Sequence, residues 1–227
     1  MALNKLRSVI VLTYGKKRDY INQQSMLNIE NKKIVIGISG YARSGKDTLA
    51  NILKSSFIEN KINAKIFSFA FALKNDIDNF CLSKIGISAF CEETSLKSKI
   101  RPMLISYGQV QRTASNGTYW LNKLKPEIDL FFENGGNVAI ISDLRFKEYE
   151  FDETDFIRSY ENNAIITISR IMENGMLNTA AHESELENLP RISRIADFEL
   201  TWDTNDNKNE LNLQSKQCLD FLYSKIV

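Results

Sequence analysis

Cysteine and proline each occur only three times in 227 residues, and net charge is almost absent, with 29 Lys and Arg against 28 Asp and Glu. Each shortage excludes a class. So few cysteines and prolines rule out a disulfide-dense or collagenous scaffold, and 43% apolar residues rule out a disordered chain. Near-zero charge argues against gripping nucleic acid by bulk electrostatics, so any anion site must be local and no stable nucleic-acid binding is expected. Cys81, Cys91 and Cys218 lack C-x-x-C spacing, which leaves no zinc or redox pair and points to a reducing, cytoplasmic compartment. Apolar runs such as Val138–Ile141 and Ala164–Ile168 are too short to span a bilayer, so no membrane helix is expected. The apolar stretch in MALNKLRSVIVLTYGKKRDY is brief, has no small-residue cleavage site and runs into Lys16, Lys17 and Arg18, which argues against a secretory signal.

What is present begins at Lys33. Residues 1–30 are mixed in polarity and read as an N-terminal extension; 31–227 read as one domain. Apolar runs at Ile34–Ser39, Ala64–Phe69, Asn137–Ser142, Ala164–Ser169 and Phe198–Trp202 predict strands. Between them, Gly45–Asn60, Ala70–Ser83, Ser98–Ala114, Tyr119–Asn134, Lys147–Asn162 and Asn209–Ser224 predict helices. The alternation implies an α/β fold with a central parallel sheet. The stretch Ile171–Ile195 has weak periodicity and contains Gly175, Asn178 and Pro190, so it reads as an irregular excursion.

The most informative residues are IVIGISGYARSGKDT, Ile34–Thr48. A β-run enters Gly40-x-x-x-x-Gly45-Lys46 and a helical pattern follows, the context of a phosphate-binding loop. Glycines let successive backbone N–H groups turn inward, the helix start adds partial positive charge, and the lysine reaches outer phosphates. Gly40, Arg43, Ser44, Gly45, Lys46, Asp47 and Thr48 are therefore the candidate ATP-binding residues. The hydroxyl that usually follows the lysine is replaced by Asp47, with Thr48 next, as in the GKGT-type loops of nucleoside monophosphate kinases. Thr48 is the better candidate for magnesium or donor-phosphate contact; Asp47 acts through water or favours the helix start.

Four further segments extend the pattern: FSFAFALK (Phe67–Lys74), RPMLISYGQVQRTASNGTYW (Arg101–Trp120), ISDLRF (Ile141–Phe146) and HESE (His182–Glu185). In this order with GKDT they resemble the deoxynucleoside monophosphate kinases of tailed bacteriophages, from about Lys33 to the C-terminus. The resemblance implies a three-layer P-loop kinase fold with an acceptor-binding helical region at about 70–122 and a lid at about 170–195. It also implies ATP and Mg²⁺ as cofactors, a deoxynucleoside 5′-monophosphate as acceptor, and host cytoplasm as the setting. A homodimer is compatible with it.

Residue roles follow from phosphoryl transfer, which needs two anions aligned and the moving charge neutralised. Lys46, Asp143, Arg145 and Arg170 are the candidate catalytic residues. Asp143 ends a strand where open sheets place ligands, or else caps the helix expected near Lys147. Arg145 shares its side if the extended backbone persists, and a guanidinium fork suits phosphate. Arg170 opens the irregular segment, placed to bring positive charge over ATP.

For the acceptor, Lys74, Arg101 and Arg112 are the candidates; eleven residues, about three helical turns, separate the arginines, so a bend at Gly108 would be needed to serve one phosphate. Trp120 and Tyr107 offer aromatic surface for a base, or else pack in the core. By resemblance, Glu148 or Glu150 supplies an acidic signal after SDLRF, and His182 and Glu185 lie near substrate. The Asn205–Asn207 turn is a candidate adenine contact or a plain helix entry. A kinase for another small molecule, such as dephospho-coenzyme A or phosphomevalonate, and an ATP-switched DNA- or protein-binding module remain the rival readings.

Overall fold

Ile34, Val35, Ile36 and Ile38 are fully buried, and a strand apolar on both faces belongs at the centre of a covered sheet. A computed structural model describes residues 32–180, 183–203 and 209–226 and places β1 (Ile34–Ser39) there. The expected extension at 1–30, His182 and the Asn205–Asn207 turn lie outside the described residues. Around β1 run β2 (Ala64–Phe67), β3 (Val138–Leu144), β4 (Asn162–Ile171) and β5 (Phe198–Asp203), in the order β2-β3-β1-β4-β5. All four pairings are parallel, with Ile34 opposite both Val138 and Asn162. The C-terminal strand ends therefore share one edge, with β1 opening between β3 and β4, the position where such sheets bind ligands.

Helices cover both faces. Leu49, Leu53 and Phe57 of α1 (Lys46–Glu59) and Leu211, Leu219 and Leu222 of α7 (Asn209–Ile226) pack on Ile34, Ile36 and Ile38. The other face carries α2 (Phe69–Ile85), α4 (Tyr119–Glu133) and α5 (Glu153–Arg158), with Phe69, Leu124, Ile128 and Ile157 against Val35, Ile141 and Ile165. Alternation along β1 thus divides its side chains between two cores, each fully buried residue contributing about 1.5–3 kcal/mol. The result is the three-layer α/β architecture that the alternation predicted. Helix α3 (Thr94–Ala114) packs against α2 and α4.

Two expectations are corrected. The helix predicted over Lys147–Asn162 forms only at Glu153–Arg158, and Asn162 already belongs to β4. Side chains have taken the preceding backbone donors: Arg145 and Phe146 N–H go to Glu153, Lys147 N–H to Asn188, and Glu148 and Tyr149 N–H to Asp152. With those groups satisfied, nothing drives a helix there. The excursion Ile171–Ile195 contains α6 (Glu183–Ser193), which buries Leu189 and Ile192. Pro190 inside it and the exposed Leu186 disguised its period.

Candidate active site

The loop between β1 and α1 has the backbone its sequence predicted. Gly40 (φ +156°) and Gly45 (φ +99°) occupy positive φ, and a Cβ on Gly40 would lie 2.3 Å from the Ile168 carbonyl oxygen. Arg43 also has positive φ, 64°, an uncommon conformation for a residue with a Cβ. From β5, the Trp202 indole N–H donates to the Ser44 carbonyl at 2.7 Å and its ring borders Gly45. The Arg170 guanidinium lies over the same ring, 4.9 Å from its centroid, which joins the end of β4 to the loop's floor.

Lys46 closes the loop on itself, its ammonium donating to the carbonyls of Gly40 at 2.6 Å and Tyr41 at 2.8 Å. Its pKa is lowered to about 8, chiefly by burial and then by the charge of Arg145, while Glu185, Asp47 and Asp143 oppose the shift. Four of the residues singled out in the sequence, Arg145, Glu185, Asp47 and Asp143, thus act electrostatically on Lys46. Glu185, carried by α6, points a carboxylate oxygen at the Ala42 N–H at 3.5 Å. Asn178 donates to the Ala42 carbonyl at 3.3 Å and exchanges bonds with the Arg170 backbone, tying the chain after β4 to the loop.

Asp143 sits at the end of β3 but caps α2 instead of a helix near Lys147. One oxygen accepts from Phe69 N–H at 2.9 Å and the other from Ser68 Oγ and Ala70 N–H, both at 2.8 Å. The carboxylate meets the positive end of the helix that carries Lys74. Lys74 lies 5.7 Å from the centroid of the Phe90 ring, and Arg101 is exposed on α3.

Two acceptor candidates are displaced from that role. Arg112 is 2% exposed; its guanidinium pairs with both oxygens of Asp152 at 2.9 and 3.0 Å and with Glu148 at 3.1 Å, and lies 3.7 Å from the Phe146 ring centroid. Burial opposes its charge, yet these carboxylates raise its pKa. Trp120, 4% exposed, donates to the Gly108 carbonyl and stacks edgewise on Tyr107 and Tyr119, so it is core. Gly108 does not interrupt α3, so Arg101 and Arg112 stay about three turns, roughly 16 Å, apart along the helix and do not meet on one phosphate. Glu148 divides its oxygens between Arg112 and Asn188.

No protein-family model matches the chain, and no curated protein matches it. Among solved structures, the APS kinase CysC of Mycobacterium tuberculosis, in complex with AMPPNP and APS, is similar at a TM-score of 0.39 and 10% identity over 84% of this chain and 98% of that one. APE1195 is similar at 0.34 and 16% over 86% and 96%. These likenesses are loose, and neither transfers a function.

The residues present fit a polyphosphate. Ser44 Oγ is buried inside the loop without a partner among the described residues, and the fourteen-residue α1 begins at Lys46. For magnesium, Asp47 and Thr48 are exposed at that helix start, while both oxygens of Asp143 are engaged. No cluster of three acidic or imidazole ligands occurs among the described residues. That donor set suits an ion held mainly by phosphates and water. Thr48 also opens a surface groove of about 530 Å³ along α1, lined by Asn51, Ile52, Ser55, Ser56 and Glu59. Sequence reading missed Trp202, Asn178, Asp152, Glu153 and Asn188. Only Asp152 carried a local signal, since Asp152-x-x-Asp155 forms a capping box at α5.

Proposed function

We propose that the chain transfers the γ-phosphoryl group of ATP to a deoxynucleoside 5′-monophosphate, giving the diphosphate. The observation that carries this reading is the gathering of Asp143, Arg145 and Glu185 around Lys46 within a glycine-turned loop at the sheet's ligand edge. Loop amides and the α1 terminus would hold the donor phosphates. Lys46, released from the Gly40 and Tyr41 carbonyls, would follow the outer phosphates, and Arg145 with Arg170 would neutralise charge on the moving group. Asp47 and Thr48 would hold a magnesium ion arriving with the nucleotide, directly or through water, and the ion would supply neutralising charge to the phosphates. Asp143 sets the start of α2; Lys74 on that helix and Arg101, exposed on α3, would take the acceptor phosphate. The turn after β4 and α6 would serve as the lid, with Glu185 leaving Ala42 as nucleotide enters.

The choice of acceptor rests on the ordered motifs from GKDT to HESE. It is tested by a coupled ADP-release assay with each dNMP and NMP, and with dephospho-coenzyme A and phosphomevalonate as controls. Turnover with one or more dNMPs is expected. A folded sample that binds ATP yet releases no ADP with any of them would refute the proposal, and ADP release stimulated only by DNA or protein would favour a switch.

A further inference from the structure

Arg145 is exposed, but the backbone beneath it is not free. Its N–H donates to Glu153 Oε2 at 2.6 Å and the Phe146 N–H to the same oxygen at 3.1 Å. Glu153 is 2% exposed, at the start of α5. The Arg112 guanidinium lies over the Phe146 ring, 3.7 Å from its centroid, while gripping Asp152, the residue before Glu153. Asp152 Oδ2 accepts from the Glu148 and Tyr149 N–H groups as well, and Asn188 of α6 takes the Lys147 N–H at 2.8 Å. Every backbone donor from Arg145 to Tyr149 thus ends on a side chain. A loop of this shape has no ladder to hold it, so these side chains are what define it.

We propose that Glu153 and Arg112 are positioning residues for phosphoryl transfer, clamping the turn after β3 so that Arg145 is presented toward Lys46. This rests on the phosphotransferase reading and adds to it a pair of buried residues that act only through Arg145. Two contacts make up the clamp: the Arg112 guanidinium covers the Phe146 ring, and a bidentate Arg112–Asp152 pair ties α3 to the start of α5. Misplacing a transfer group by about 1 Å can cost about 100-fold in rate.

A double-mutant cycle on turnover tests the proposal. Glu153→Ala is expected to lower kcat by about 10- to 100-fold with the KM for ATP little changed, and Glu153→Gln, which keeps an acceptor oxygen, to restore it to within about threefold. In an Arg145→Ala background, Glu153→Ala is expected to cost nothing further. Equal losses in both backgrounds, or an undiminished kcat in folded Glu153→Ala, would overturn the proposal. Should Glu153→Ala fail to fold, Phe146→Leu, which removes only the ring under Arg112, takes its place in the cycle with the same two outcomes. Independently of turnover, the Arg145 amide proton is expected to resonate downfield in the folded protein and to lose that shift in Glu153→Ala; an unmoved resonance overturns the clamp. Absence of turnover in the unmodified enzyme with every acceptor, beside an intact amide signal, would instead remove the phosphotransferase reading and with it the catalytic role of the clamp.

Discussion

Replacing Glu153 by glutamine should flatten the fall of stability between pH 6 and 8. One guanidinium faces three carboxylates here, and Asp152 holds it on both nitrogens while Glu153 Oε1 stays 3.7 Å away, too far for a hydrogen bond. Burial therefore dominates and lifts the Glu153 pKa from 4.5 to about 8, against the pull of Arg112. A raised carboxyl pKa means that the folded state binds more protons than the unfolded one between those values, so stability falls as pH rises through the window and levels off above it. The whole shift corresponds to a ceiling of ~5 kcal/mol, of which about 2 kcal/mol falls between pH 6 and 8. For a chain of this size that is roughly 4 to 8 °C in Tm. Lys46 acts in the opposite sense. Its pKa is lowered from 10.5 to about 8, so the unfolded state binds more protons above that point and stability rises with pH from about 8 upward. Urea unfolding of the unmodified protein and Glu153→Gln at pH 6, 7 and 8 isolates the carboxyl, because the Lys46 contribution cancels in the difference. Parallel curves for the two proteins would refute the reasoning.

Three further outcomes are expected. Lys46→Met should reduce turnover by about 10²–10³-fold or more in the ADP-release assay while the Tm shifts by only a few degrees, since among the described residues the lysine's hydrogen bonds go to its own loop. Gly40→Ala should destabilise by about 1–3 kcal/mol in urea titration, because the new Cβ meets the Ile168 carbonyl oxygen in a strained φ. Lys74→Ala should raise the acceptor KM about tenfold or more and leave the KM for ATP unchanged, read from initial rates with each substrate varied in turn.

The five strands and the glycine loop were legible because each depends on local features: continuous apolar runs, and two glycines and a lysine at fixed spacing. Arg112 and Trp120 were misplaced for the opposite reason. Charge and aromaticity are visible in a sequence, but the carboxylates that bury an arginine are not, and those of Asp152 and Glu148 lie 40 and 36 residues away. Trp202 supports the Ser44 carbonyl across 158 positions, with no local pattern to announce it. The stretch from Lys147 to Asp152 looked helical because its polar residues suit an amphipathic helix; in the fold the side chains of Asp152 and Asn188 take its backbone donors instead.

The strand order has a consequence for synthesis. Among the described residues β1 pairs with β3 and β4, and β2 with β3, so 104 residues separate Ile34 from its first partner, Val138, and 128 from its second, Asn162. A nascent chain that has already made the glycine loop and α1 therefore holds β1, apolar on both faces, and the shorter β2 without their β3 partner until β3 leaves the ribosome. At about 5–20 residues per second that wait lasts several seconds, a period of exposure that a sheet built from hairpins would not have. Helices α2, α3 and α4, all made in the interval, are available meanwhile to shield the apolar strands, so part of the final helical layer would act as a temporary cover before the sheet that it packs on is complete.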